Sequence, residues 1–174
     1  YYEQEAEKAN EYLEKIKDIP KEKIIYIDET GIDKFLYRKY ARAPIGEKIY
    51  EKVRGNRFER TSIVAAQAGN RIIAPLQYKG TMTSIFFEAW IEKHLIPELP
   101  REAVIVMDNA SFHRKKRLYE LAERYNVKLI FLPPYSPELN PIEHFWSWLK
   151  RKICDLLPSF KKLDEVIYEL FQVH

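Results

Sequence analysis

Three acidic residues stand at positions where a carboxylate could do chemistry. Asp28 closes the apolar run Ile24-Ile25-Tyr26-Ile27, and Asp108 closes Val104-Ile105-Val106-Met107, so each acid sits where a buried strand runs out into a turn. If those strands are parallel neighbours about 4.8 Å apart, their carboxylates come within reach of a common cation. Oxygen ligands of this kind suit Mg2+, which keeps several waters and needs only a few carboxylates. The other reading of either aspartate alone is turn chemistry, because Asp after a strand bonds nearby backbone N–H groups. The third acid, Glu143, follows the proline-rich stretch Leu132-Pro133-Pro134-Tyr135-Ser136-Pro137-Glu138-Leu139-Asn140-Pro141. Asn140-Pro141 reads as a helix start, with a cap residue and a proline in the first helical position. Glu143 then falls in the first turn, beside a core stripe of Ile142, Phe145, Trp146, Leu149 and Ile153. It can lean over the sheet margin, or it can complete an Asn140-x-x-Glu143 capping box and serve only backbone N–H groups. Both readings stay open at this point.

Other catalytic arrangements find little support. Ser111 and His113 lack the strand-turn-helix glycine motif of a hydrolase serine. The lone Cys154 forms no internal disulfide, and His94, His113, His144 and His174 lack the spacing of a structural zinc site. No run of about 18 apolar residues or basic-then-apolar leader is present, so the chain is expected to be soluble, with no membrane partner.

The elements that must position the acids follow from periodicity. Glu3 to Lys17 reads as a helix with Ala6, Ala9, Leu13 and Ile16 on one face, stopped before Pro20. Thr61 to Ala68 and Arg71 to Tyr78, separated by Gly69-Asn70, predict an antiparallel hairpin. Helices are expected over about Thr83–His94, Arg114–Tyr125, Pro141–Leu156 and Lys162–Gln172, with a strand over Lys128–Leu132. Strands first, then alternating strand and helix, predict a mixed sheet covered by helices. Trp90 is expected in the core. Trp148 points away from Trp146, either to stack on a base or partner or to pack on the last helix.

With 174 residues, 46% hydrophobic and 32% charged, the chain suits one globular domain, or one with a small appendage. Beginning at Tyr1 rather than methionine, it is expected to be a piece of a longer protein or a processed chain. Its formal net charge of +3 is unevenly spread. Between Lys34 and Arg60 nine basic residues (Lys34, Arg38, Lys39, Arg42, Lys48, Lys52, Arg54, Arg57, Arg60) face only three glutamates. A second run, Arg114-Lys115-Lys116-Arg117, begins a helix, where the helix dipole disfavours cations. Such runs are either a solvated surface or a footprint for the phosphates of nucleic acid.

Tyr26-Ile27-Asp28-Glu29-Thr30-Gly31, Val106-Met107-Asp108-Asn109-Ala110-Ser111-Phe112-His113 and the Pro-Pro-Tyr-Ser-Pro-Glu-Leu-Asn-Pro-Ile-Glu-His-Phe-Trp stretch from Pro133 to Trp146 together resemble the catalytic core of DDE transposases. More narrowly, the resemblance is to the mariner-like superfamily and its bacterial insertion-sequence branch, over about Ile24 to Ile153. Thirty-four residues separate Asp108 from Glu143, a spacing similar to that of the glutamate-ending members. Tyr37 to Pro44 also resembles the basic, proline-ended stretch these enzymes carry after the first aspartate.

The resemblance implies a ribonuclease H-like fold, an α/β mixed five-stranded sheet flanked by helices, over residues 21–174. Residues 1–20 would then be an N-terminal helix or the remnant of a linker from a missing DNA-recognition region. It implies Asp28, Asp108 and Glu143 as catalytic residues and ligands of Mg2+ or Mn2+, with two ions and no small-molecule cofactor. Two ions about 3.5 to 4 Å apart can activate the attacking oxygen and stabilise the leaving one. The implied reactions are hydrolysis at transposon ends, then attack of the exposed 3′ hydroxyl on target DNA, usually at TA. Expected DNA-binding residues are Arg38, Lys39, Arg42, Arg54, Arg57, Arg60, His113, Arg114 and Lys115, with His113 either touching phosphate or capping its helix. The expected partners are double-stranded DNA and a second copy in a homodimer, and the expected location is the cytoplasm, on the nucleoid. Two alternatives stand beside this: a nuclease of the same fold without strand transfer, and a silent DNA-binding module, against which the presence of all three acids argues.

Overall fold

The computed structural model describes residues 2–32, 60–134, 136–156, 159–160 and 162–172. Its first element is a helix, α1 (Tyr2–Ile16), followed by β1 (Ile24–Ile32), β2 (Thr61–Ala68) and β3 (Arg71–Lys79). Helix α2 (Ser84–Trp90) runs on through a π turn at Ile91–Leu95 and a 3-10 turn at Ile96–Glu98 into β4 (Val104–Met107). Then come α3 (Lys115–Arg124), β5 (Lys128–Phe131), α4 (Ile142–Leu156) and α5 (Leu163–Gln172). The strands form one five-stranded sheet in the order β3-β2-β1-β4-β5. β1, β2 and β3 pair antiparallel, whereas β1, β4 and β5 pair parallel, so the sheet is mixed as expected. The central place of β1 and β4 explains their unbroken apolar runs, since such strands are covered on both faces.

Side chains alternate across the sheet, and the three apolar clusters follow that alternation. Ile25, Ile27, Ile105 and Met107 pack on one face against Phe87 and Trp90 of α2 and Leu118 of α3. Ile32, Ile63 and Ala65 face the other way, onto Ile142, Trp146, Leu149 and Ile153 of α4 and Val166, Ile167 and Leu170 of α5. Ile24 and Val106, with Leu132, bury Tyr12 of α1. Trp90 is 1% exposed and donates its indole N–H to Ala74 O at 2.9 Å. Trp148 stacks on Phe145 at 5.6 Å within the α4–α5 cluster, so packing accounts for it.

The hairpin turns at Gly69, whose φ of +59° is left-handed and suits a residue without Cβ. Farther along, the β2–β3 register shifts between Val64 and Ala66, opposite Ala74 with φ +49°. Such a bulge withdraws one residue from the ladder, and here the withdrawn Ala74 also accepts from Trp90 and donates its N–H to Glu98 Oε1 at 3.2 Å.

The face of α1 differs from expectation. Tyr12 is the buried residue, with Ala9 and Ile16 half-buried beside it, whereas Ala6 and Leu13 are exposed. The stripe is therefore 9, 12, 16 rather than 6, 9, 13, 16. Tyrosine wins because its ring fills the gap over Ile24 and Val106 while its hydroxyl reaches the Tyr26 hydroxyl at 3.3 Å. Tyr12→Ala is accordingly expected to cost about 3 kcal/mol in urea unfolding, against less than about 1 kcal/mol for Leu13→Ala. Equal costs for the two substitutions contradict this packing.

Candidate active site

The parallel register of β1 and β4 pairs Ile24 with Val104, Ile25 with Ile105 and Tyr26 with Val106. Continued by two residues, it brings Asp28 level with Asp108, just past the end of β4. Glu143 arrives from the first turn of α4, whose stripe lies against the same sheet face as Asp28. All three acids line one cavity of about 510 Å3, with Asn109, Pro134, Ser136 and Asn140 also on its wall. Among the described residues no three such side chains close tightly enough to enclose an ion. The donors are hard oxygens of like charge around an open space, a set that fits a hydrated Mg2+ or Mn2+.

Each acid is held by a different device. Trp146, 1% exposed on the α4 core stripe, donates its indole N–H to Asp28 Oδ2 at 2.9 Å. Asp108 accepts from the Ala110 N–H at 3.2 Å, a local turn bond, and its neighbour Asn109 donates to Leu132 O at 2.9 Å. That second bond ties the end of β4 to the end of β5. Glu143 is exposed, and its N–H bonds the Asn140 backbone carbonyl at 3.2 Å.

The capping box is not formed. Asn140 is 4% exposed, yet its Oδ1 has no hydrogen-bond partner, because the tight turn leading into α4 gives the Glu143 amide to the Asn140 backbone instead. A 3-10 turn at Pro137–Leu139 precedes Asn140, and the helix begins at Ile142. The turn expected after Asp28 is not formed: β1 runs on to Ile32 because its ladder with β2 continues, Asp28 pairing with Ala65. The turn reading of Asp108 holds in part, since its carboxylate does bond Ala110, but 58% of the side chain remains exposed.

Burial pushes the Asp28 carboxyl up to about 7. Removal from water is the largest cause, the Glu143 and Asp108 charges add to it, and the Glu29 N–H and Trp146 indole oppose it. His113 lies on the other side of Asp108. Its ring is 3% exposed, stacks on Phe87 at 4.6 Å and places Nδ1 3.1 Å from Asp108 O, with burial lowering its proton affinity. The imidazole thus braces the Asp108 backbone from inside the core.

Of the nine basic residues between Lys34 and Arg60, all but Arg60 lie outside the described residues, Arg38, Lys39, Arg42, Arg54 and Arg57 among them. The Arg60 guanidinium lies on Gly31 so closely that a Cβ there would come within 2.0 Å of Nη2. Arg114 makes a two-point ion pair with Glu88, at 2.8 and 2.5 Å, anchoring α3 to α2. Lys115 sits 4.7 Å from the centre of the Phe131 ring. Residues that sequence reasoning missed are Asn109 as the strand tie, Trp146 as the Asp28 donor and Asn140 as a cavity wall. The run Asp108-Asn109 and the polar atom on a core tryptophan were the only signals for them.

A 3-2-1-4-5 mixed sheet with helices on both faces, its two adjacent parallel strands and one facing helix each bearing a carboxylate, defines a ribonuclease H-like fold. Residues 23–167 match the family described as DDE superfamily endonuclease, and the chain belongs to that family. It is 37% identical over 70 residues to the uncharacterized protein y4pE/y4sA of Sinorhizobium fredii, covering 37% of this chain and 45% of that one. It is 29% identical over 102 residues to the Tc1 transposase of Caenorhabditis elegans, covering 59% and 36%, respectively. The chain thus spans less than half the length of these curated relatives. Its fold matches that of the Mos1 strand transfer complex, with a TM-score of 0.68 at 19% identity over 98% of this chain and 58% of that one. The Mos1 catalytic domain solved with raltegravir and Mg also gives 0.68, at 17% identity over 98% and 80%.

The raised Asp28 pKa sets a pH dependence for the metal-free protein. The folded state keeps the Asp28 proton up to about pH 7, whereas the unfolded chain releases it near 4. Stability from this group is therefore full below about pH 4 and lost as pH rises towards 7. Metal-free protein should lose on the order of 2 to 3 kcal/mol between pH 5 and 8 from Asp28 alone, and Asp28→Asn should remove that loss. Identical pH profiles of urea stability for the two proteins refute the shift.

Proposed function

We propose that this chain is the catalytic core of a cut-and-paste DNA transposase, cleaving phosphodiesters at transposon ends and joining the resulting 3′ hydroxyl to target DNA. The carrying observation is the convergence of Asp28, Asp108 and Glu143 on one cavity from two adjacent strands and a helix. Support also comes from relatives named as transposases and from fold neighbours that include Mos1 complexes with Mn and with Mg.

In this reading Asp28, Asp108 and Glu143 would together hold the divalent cations, two by expectation, in the cavity they line. Bound there, Mg2+ or Mn2+ supplies Lewis-acid stabilisation to the oxygens that attack and leave. The chain's own residues do the positioning. Trp146 fixes the rotamer of Asp28 from within the core, and Asn109, Ala110 and His113 fix the backbone and carboxylate of Asp108. The basic segment, including Arg38, Lys39, Arg42, Arg54, Arg57 and Arg60, supplies contacts to DNA phosphates. His113, Arg114 and Lys115 border the same end of β4. The buried ring of His113 and the Glu88 pair of Arg114 assign those two to holding the site, leaving Lys115 the freer to meet DNA. The active complex is a homodimer on double-stranded DNA. Among the described residues no helix is long and apolar enough to cross a membrane, and a place on DNA, in a bacterial nucleoid, is part of this reading.

Glu143→Gln tests the assignment, because the neutral amide keeps the side chain's shape while losing its charge. Near-normal stability is expected, since Glu143 is exposed, together with loss of Mn2+-dependent cleavage and strand transfer on transposon-end oligonucleotides. Cleavage by this variant at the parental rate sinks the role of Glu143, and cleavage without joining by the parental protein leaves a nuclease. Separately, Arg54→Gln with Arg57→Gln should flatten the slope of log affinity against log salt by about two phosphate contacts, roughly 1.8 for duplex DNA. An unchanged slope returns both residues to plain surface.

A further inference from the structure

Asn140 occupies the bend between the 3-10 turn and α4, and its backbone is fully used. Its N–H donates to Pro137 O at 3.0 Å, and its carbonyl accepts from Glu143 at 3.2 Å. The side chain does not repeat that economy, for Oδ1 is buried and accepts no hydrogen bond. A buried acceptor without a donor is destabilising, and an apolar side chain of similar size avoids the penalty. The fold alone therefore gives no reason for an amide at this position.

The cavity gives one. Asn140 lines the same wall as Asp28, Asp108 and Glu143. Ionised carboxylates are acceptors only, so once the acids carry the charge that holds a cation they cannot satisfy an amide oxygen. What can satisfy it is a cation, or a hydroxyl donor held by one. Mg2+ in particular retains several waters, and each offers protons to acceptors around it.

We propose that Asn140 is a positioning residue for the divalent cation on the Glu143 side of the cavity. Its Oδ1 joins the oxygen shell of the hydrated ion, as a ligand or as acceptor from one of its waters. The proposal rests on the carboxylate reading above. Groups that orient a metal site in this way typically contribute about 10- to 100-fold in metal affinity.

The test is titration of Mn2+ into the parental protein, Asn140→Leu and Asn140→Asp, followed by calorimetry and by the electron paramagnetic resonance signal of free Mn2+. Metal-free melting curves of all three accompany it. Asn140→Leu should melt at or above the parental temperature, having lost the unpartnered oxygen, yet bind Mn2+ about 10- to 100-fold more weakly. Asn140→Asp, which keeps an acceptor, should bind at least as tightly as the parent. Parental affinity in Asn140→Leu overturns the role of Asn140 and leaves the carboxylate site standing. Absence of Mn2+ binding by the parental protein overturns both. If leucine prevents folding, the aspartate variant decides, and weaker binding by it overturns the proposal.

Discussion

The indole of Trp146 donating to Asp28 is the interaction on which the rest of the site depends. Helix α4 is held to the sheet by an apolar stripe, and apolar contact is not directional. A stripe of Ile142, Leu149 and Ile153 could slide along Ile32 and Ile63 by a fraction of a turn at small cost. The N–H of Trp146 removes that freedom, because a hydrogen bond to Oδ2 is made only at one depth and one rotation. The same bond sets the axial position of Glu143, three residues earlier on the helix. One buried polar contact thus fixes two of the three acids relative to each other.

Asp108 is fixed by independent means, through Asn109 to Leu132 and through His113 to its own carbonyl. Those ties belong to the parallel half of the sheet, and they keep the end of β4 from fraying where its ladder stops. The ion pair between Glu88 and Arg114 extends this bracing to α3 and explains the first basic residue at a helix start, where the dipole is unfavourable. Glu88 is 9% exposed, and a carboxylate so placed needs a partner. Arg114 answers a need inside the fold before it answers any outside it.

Much of this was legible from the chain. The apolar runs ending in Asp28 and Asp108 announced buried parallel neighbours, and the hairpin declared itself through Gly69-Asn70 between two strand-like runs. Both are local patterns written in consecutive residues. The Trp146–Asp28 bond spans 118 positions and joins a residue that reads as core to one that reads as a site, so no period reports it. Three local readings failed, each for a physical reason. The turn expected after Asp28 gave way to the β2 ladder, which carries β1 on to Ile32. The face of α1 was drawn through Leu13 because leucine is the more hydrophobic residue, but the sheet offered a slot for a ring with a hydroxyl. The capping box at Asn140 has the right letters, yet a backbone carbonyl reached the Glu143 amide first. For most of the basic segment the question of position stays with the sequence.

The bulge in β3 carries a consequence for how the sheet could meet another chain. Among the described residues β3 is an edge strand, and an edge normally presents a row of free N–H and C=O groups onto which another chain can add. Here Ala74 turns its carbonyl to Trp90 and its N–H to Glu98, and Pro75, next in line, has no N–H to offer. The middle of the edge is closed by the protein's own helix side, so a foreign strand finds no continuous ladder to extend. A sheet whose other faces are already covered is thereby guarded against self-templating along this border, which keeps association directed to surfaces other than the strand edge.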